Sequence, residues 1–245
     1  MPTADHGLLG RIDALLDLLD RRRCLNLGPG AQLTRADAAA VAQATGLDLP
    51  SRPVGTAARD DGGDQAVEFL RLLAQAVGLL RVRGSRVEAT ALCAAWGRLD
   101  EGLRAGLVYA AWCHRVPWTA VLGPGRAVER LGRDRLWVLR LLFGLPAAVE
   151  VEVAALAATV AERLGLGGKE LGLAEERLGL GAEDRLVTAL AAAFLDPLVA
   201  LGVAELHPPP PQPPARLRLA ARAQTVIGSA LVAAGEEVPI GLSAN

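Results

Sequence analysis

Three histidines, three cysteines and one lysine are the side chains of this 245-residue chain best suited to base, nucleophile, metal or phosphate chemistry. Their spacing supports none of these roles. His6, His114 and His207 lie four residues from no other histidine or cysteine, so no helical metal pair forms. Cys113 and His114 are adjacent, and on a helix they point to different faces, which weakens a thiolate–imidazole pair. Gly168-Lys169 resembles the end of a phosphate loop. Arg163 stands where the first glycine of that loop should be, and Glu170 where Ser or Thr should follow. Neither G-x-S-x-G nor G-x-G-x-x-G occurs. Glu175-Glu176 and Glu236-Glu237 read as a solvated face and a tail. The expectation is no enzyme, no metal and no cofactor. Cys24, Cys93 and Cys113 are odd in number and sit in apolar helical text, as reduced, buried thiols of a cytosolic protein do.

The remaining chemistry is ionic, and it belongs to arginine, because Lys169 is the single lysine. Arg81, Arg83 and Arg86 surround Gly84-Ser85, with Arg81 and Arg83 on one face of an extended segment. Such a tip can lie along a phosphate backbone. The alternative is a charged edge that discourages sheet addition. Arg126, Arg130, Arg133 and Arg140 recur at i, i+4, i+7 and i+14, opposite Val128, Leu131, Val138, Leu139 and Leu142. Pairing of Glu129 with Arg133 and of Arg130 with Asp134 would make that stripe a salt-bridged face instead. Arg21-Arg22-Arg23 ends a helix, where cations favour the dipole. Pro208 to Pro214 is a polyproline II segment, and Pro211-x-x-Pro214-x-Arg216 matches a ligand for aromatic grooves. Pro208, Pro211, Pro214 and Arg216 are therefore candidate protein contacts, with a stiff inert loop as the alternative.

The elements that position these groups can be read in order. Leu8, Ile12, Leu15, Leu16 and Leu19 form one stripe of a helix from His6 to Asp20. Cys24–Leu27 and Ala31–Leu33 read as short strands around Gly28-Pro29-Gly30. Thr34 caps a helix to Thr45, with Asp37 at the capping-box position and Gly46 as the stop. Pro50 to Gly63 is a candidate linker. A helix over Ala66–Val77 ends at Gly78. Strands Leu79–Arg83 and Arg86–Ala89 follow, then a helix from Ala91 capped by Thr90. Leu99–Cys113 is helical, with Leu103, Leu107, Ala110 and Ala111 toward the core. Trp96, Trp112, Trp118 and Trp137 are expected to fill a junction between two halves. A helix over Arg126–Phe143 opens the second half and Pro146 stops it. Strand Glu150–Glu152, helix Val153–Leu164 and an irregular insertion from Gly165 to Asp184 come next. A helix over Arg185–Leu201, kinked at Pro197, stops at Gly202. Strands Val203–Leu206 and Arg216–Leu219 precede a closing helix, Ala221–Ala233, and a frayed tail from Glu236.

AQAVGLLRVRGSRVEAT and LVALGVAELHPPPPQPPARLRLA thus repeat one order: helix, glycine, strand, tip, strand, helix. Over Asp64–Leu99 and Arg126–Leu231 the chain resembles tandem winged helix-turn-helix proteins, which occur among transcriptional regulators and chromosome-condensing accessory subunits. The full order, helix, short strand, helix, helix, wing, is expected only in the second half. The resemblance implies a mainly α fold with two winged-helix domains in tandem, at residues 59–122 and 123–233. A helical segment at 1–58 precedes them and a flexible tail at 234–245 follows. It also implies binding rather than catalysis. The helices that would enter a major groove carry Asp64, Gln65, Glu68, Arg71 and Gln75, and Glu183, Asp184, Arg185, Thr188 and Asp196. Each set has one arginine among acids, poor for reading bases.

Composition agrees with a folded binding protein. Hydrophobic residues make up 51% and aromatics only 3%, so the core is built from Leu, Val and Ala. Arginine, alanine, glycine and proline abundance reflects a GC-rich genome. Net charge is −1, so any polyanion site must be local. No apolar run approaches the length of a membrane span, and no signal peptide is visible. The reading is a cytoplasmic, non-enzymatic protein that contacts double-stranded DNA with low specificity through Arg81, Arg83, Arg86, Arg126, Arg130 and Arg133. The alternative is an assembly subunit that holds a protein partner or a second copy of itself.

Overall fold

The computed structural model describes residues 7–47, 62–122, 125–165, 182–207 and 215–236. Over these the protein is mainly helical, with two small antiparallel three-stranded sheets. The chain divides into two compact units, Met1–Arg104 and Ala105–Asn245.

In the first unit, α1 (Leu8–Arg22) buries Ile12, Leu15, Leu18 and Leu19. Leu8 and Leu16 of the expected stripe are half-buried. β1 (Leu25–Asn26) follows, then a short helical turn at Pro29–Ala31. Ala31–Leu33 is no strand: only Leu33 bridges, to Leu27. α2 (Arg35–Thr45) begins as the sequence predicts. The Asp37 amide donates to Thr34 Oγ1 at 3.3 Å, and Gly46 closes the helix at φ +66. α3 runs Gly62–Val77, so the last two residues of the expected linker are helical. The rest of that linker, like His6, lies outside the described residues.

Gly78 ends α3 at φ +96, a left-handed conformation that glycine adopts without penalty. Its amide bonds to Gln75 O at 2.9 Å and that of Leu79 to Ala74 O at 3.0 Å, so the freed carbonyls are satisfied. β2 (Leu80–Arg83) and β3 (Arg86–Ala89) then form a hairpin on the two-residue turn Gly84-Ser85, with Gly84 at φ +61. The sheet order is β1-β3-β2, with Leu25 opposite Val87 and Asn26 opposite Arg86. The helix–strand–helix–helix–hairpin order is therefore complete in the first unit too, which corrects the expectation that only the second half holds it. Thr90 accepts from the Leu92 amide at 3.2 Å and donates to Gly78 O at 2.7 Å, tying α4 (Leu92–Trp96) to the end of α3.

α5 (Glu101–His114) carries the division between the units. Its buried face is Ala105, Val108, Tyr109 and Trp112, whereas Leu103 and Leu107 are 42% and 40% exposed. The expectation that those leucines point inward is thereby corrected. Apolar residues encircle α5, and Gly106 selects the inward face: a Cβ there would lie 2.5 Å from Ser229 Oγ and 2.8 Å from its Cβ. Gly106→Ala should cost the second unit about 1–3 kcal/mol by overpacking, measured by denaturant unfolding.

The second unit continues with α6 (Trp118–Val121), α7 (Arg126–Arg133) and α8 (Arg135–Phe143). One helix was expected over Arg126–Phe143, but Asp134 at φ −100, ψ 17 breaks it. β4 (Glu150–Glu152) and α9 (Val153–Leu164) match their expected limits. Residues 166–181 of the expected insertion lie outside the described residues. α10 (Ala182–Leu190) leads through one wide five-residue turn, Ala191–Leu195, into α11 (Asp196–Ala200). Pro197 explains the widening. It has no N–H for Ala193 O four residues back, and its ring crowds that carbonyl. Trp112 Nε1 donates to Ala193 O instead, at 2.6 Å, and the Tyr109 hydroxyl to Phe194 O at 3.2 Å.

β5 (Ala204–His207), β6 (Arg216–Leu219) and α12 (Ala223–Ala233) complete the unit, and its sheet order is β4-β6-β5. The helix ending is the same as in the first unit: Gly202 at φ +67, its amide to Val199 O at 2.8 Å and that of Val203 to Leu198 O at 2.9 Å. Where Thr90 serves Gly78 O, Arg222 serves Gly202 O at 2.8 Å. The prolines of the second tip and residues 237–245 lie outside the described residues.

Trp112 and Trp118 contact Ala193 and Phe194 across the boundary expected between residues 122 and 123, whereas Trp96 and Trp137 meet other partners. Trp96 Nε1 donates to Asp13 at 2.8 Å, and Arg104 lies 5.6 Å over its ring. Trp118 stacks on Trp112 at 6.1 Å and meets Phe194 edge-on at 5.0 Å. Trp137 lies under Arg163.

Asp37 adds a pH dependence to the first unit. Burial raises its pKa, but bonds from the Asn26 amide at 2.8 Å, Asn26 Nδ2 and Thr34 Oγ1 at 3.1 Å each and Arg22 at 3.0 Å overcome this, and the net shift is downward. A lowered folded pKa gives stability that is present above the ordinary aspartate value of about 4 and lost as pH falls through the folded value. Asp37→Asn should remove that part of the acid unfolding curve and cost about 1–3 kcal/mol at neutral pH.

Candidate polyanion-binding surfaces

Register decides what each hairpin presents. In the first sheet Arg81 pairs with Glu88 and Arg83 with Arg86, so four charged side chains occupy one face. The opposite face carries Leu80, Val82, Val87 and Ala89. Arg81 is held by Glu88 at 3.1 Å. Arg83 and Arg86 are exposed, directly opposed across the strands, and among the described residues neither forms an ion pair. Like charges directly opposite destabilise a sheet, and among the described residues no carboxylate offsets this pair. Asn26 extends the row on β1, with its side-chain amide turned to Asp37 at 3.1 Å.

The second sheet has the same topology and the opposite electrostatics. Glu205 faces Arg218 where the first sheet has Arg81 and Glu88; His207 faces Arg216 where the first has Arg83 and Arg86. On β4, Glu150 and Glu152 face Arg218 and Arg216. Arg216 pairs with Glu150 at 3.0 Å and Arg218 with Glu205 at 3.7 Å. Arg216 is thus an internal partner of the sheet. Pro208, Pro211 and Pro214 lie outside the described residues.

α3 offers little to a groove. Arg71 is buried, its Nε donating to Glu68 at 2.6 Å, Nη1 to Gln75 at 3.1 Å and Nη2 to Ala31 O at 3.4 Å. Glu68 also accepts the Leu33 amide. Glu68, Arg71 and Gln75, expected to face outward, thereby anchor α3 to the loop before α2, while the side chains of Asp64 and Gln65 lie outside the described residues. Their spacing at i, i+3 and i+7 was the available signal that they share one face, though not that the face is covered. From Ala66 to Val77 no side chain of α3 is fully exposed. In the second unit the side chains of Glu183, Asp184 and Arg185 lie outside the described residues. Thr188 is exposed, and so is Asp196 at the start of α11.

On α7, Val128 and Leu131 are buried and Arg126, Arg130 and Arg133 are exposed. Neither expected intrahelical pair, Glu129–Arg133 or Arg130–Asp134, forms among the described residues. Arg140 belongs to α8, across the break, and pairs with Glu236.

Cys113 and His114 are engaged within the fold, and His6 and Lys169 lie outside the described residues. Cys113 is buried, and burial pushes its thiol pKa well above the ordinary range despite Tyr109 and Arg135 beside it. Arg135 donates to Cys113 O at 2.7 Å, closing α5. Burial lowers the pKa of His114, whose Nε2 donates to Ala230 O at 2.7 Å. Cys93 and Cys24 are only half-buried, which corrects the expectation that all three thiols are buried. Among the described residues no group of three or more metal-binding side chains comes together, and no helix is long and apolar enough to cross a membrane. No protein-family model, no curated protein and no solved structure matches this chain.

Proposed function

We propose that the protein is a non-enzymatic binding protein of two winged-helix units that contacts the phosphates of duplex DNA through its first hairpin. The observation that carries this reading is the opposed, unneutralised Arg83–Arg86 pair, whose counterpart in the second unit lies in a sheet face supplied with glutamates. A conflict kept in one copy and relieved in the other is where an external anion belongs. The repeated unit order and identical strand order support the winged-helix assignment. With Arg71 turned inward, binding is through phosphates and carries little sequence information.

Titration of the intact protein against labelled duplexes of unrelated sequence tests this. Expected are similar affinities for each, a steep loss with salt, and a log–log salt slope flatter by about two units in Arg83→Glu with Arg86→Glu. A wild-type slope in that variant would remove the hairpin from the interface. The second reading, an assembly subunit for a protein partner, has its own support in the polar side chains of α3, which are used internally. Absence of duplex binding at low salt would put that reading first.

A further inference from the structure

We infer that the second unit carries its own phosphate contact for duplex DNA on α7, separate from the hairpin. This rests on the phosphate-binding reading above but on different residues. Arg130 and Arg133 are exposed neighbours at i, i+3 on the solvent face of α7, opposite the buried Val128 and Leu131. Like-charged neighbours at this spacing destabilise a helix. The sequence supplies the remedy, Glu129 and Asp134 at the right spacing, and the fold does not use it: among the described residues neither carboxylate pairs with these guanidiniums. Asp134 sits in the break between α7 and α8, outside helical geometry. Arg140, the continuation of the stripe, pairs with Glu236, so the same unit does neutralise an arginine where it has one to spare.

Arg126 adjoins the pair one turn earlier and is also exposed. The three residues span about 10 Å of helix axis, over which a duplex presents about six phosphate charges. Arginine suits this role, since its planar fork binds phosphate oxygens in pairs. The occupant is therefore a duplex backbone. An acidic protein surface is the competing occupant that the test excludes or admits.

The experiment compares four forms of the full chain on one labelled duplex across a salt series: wild type, Arg83→Glu with Arg86→Glu, Arg130→Glu with Arg133→Glu, and all four changes together. Each double variant should flatten the salt slope by about two units, and the quadruple variant by about four. Arg130→Gln with Arg133→Gln, which adds no negative charge, should give the same flattening as the glutamate form. Circular dichroism melts report folding for every form, and the glutamine pair serves if the glutamates disturb α7. A wild-type slope in both α7 variants, with the hairpin variant impaired, overturns this inference and leaves the hairpin reading standing. Impairment of the α7 variants alone supports the inference and removes the hairpin. No duplex binding by the wild type overturns both and leaves α7 to an acidic protein.

Discussion

Arg71→Ala is expected to destabilise the first unit by about 3–5 kcal/mol, the loss that follows when one member of a buried ion pair is removed. The Arg71 side chain is 7% exposed and that of Glu68 15%. Arg71 alone spans from Glu68 and Gln75 on its own helix to Ala31 O in the loop before α2. Removing it strands the Glu68 carboxylate, which must still accept the Leu33 amide, and leaves Ala31 O without its guanidinium. Arg71→Met keeps most of the volume but not the charge. Adding Glu68→Gln to it removes the stranded charge while retaining an oxygen for the Leu33 amide. The pair should then recover about 1–3 kcal/mol relative to additivity. Denaturant unfolding gives the energies, and amide hydrogen exchange should show lost protection in α3 and around Leu33. Lower DNA affinity in Arg71→Ala at unchanged stability would falsify the inward assignment and return α3 to the role of a groove reader.

That prediction also marks where the sequence stopped being informative. Gly46, Gly78 and Gly202 were legible as helix ends, because glycine takes positive φ there without strain. The first hairpin was legible from Gly84-Ser85 between alternating residues, and its two-residue turn forces Arg83 opposite Arg86. β1 was legible as a short strand within Cys24–Leu27, but its place in the sheet was not, because Leu25 meets Val87 only through the folded chain. Without that pairing, residues 1–58 read as a separate segment. Arg71 was counted as an outward polar residue because an amphipathic pattern records residue type, not what later covers it. The break at Asp134 was hidden because the apolar side stays in phase on both sides of it, with Val128, Leu131, Val138 and Leu142 all buried. The glutamate-supplied face of the second sheet was hidden because its register runs across a long proline-rich tip. No local rule could predict that Arg216 would meet Glu150.

Phe194→Ala should destabilise the second unit by about 3–5 kcal/mol, as loss of a fully buried aromatic ring does. Phe194 is 0% exposed and meets Trp118 edge-on, ring centroids 5.0 Å apart. Trp118 in turn stacks on Trp112 and donates its Nε1 to Trp112 O at 2.9 Å. Phe194 also lies in the widened turn that Pro197 imposes, where Ala193 O and Phe194 O accept from Trp112 and Tyr109 of α5. The ring and the two carbonyls therefore fix α5 to the helix that leads into the second hairpin. The side-chain and backbone parts separate by mutation. Phe194→Leu refills much of the cavity and should cost well under half as much as Phe194→Ala. Tyr109→Phe leaves the packing and removes one donor, for about 1 kcal/mol. Phe194→Ala combined with Trp118→Ala should fall short of the sum of the single losses by about 0.5–1.5 kcal/mol, the worth of an edge-on aromatic pair. Full additivity of that pair, or a Phe194→Ala loss no larger than that of Tyr109→Phe, would mean that backbone bonds rather than the aromatic cluster hold this junction.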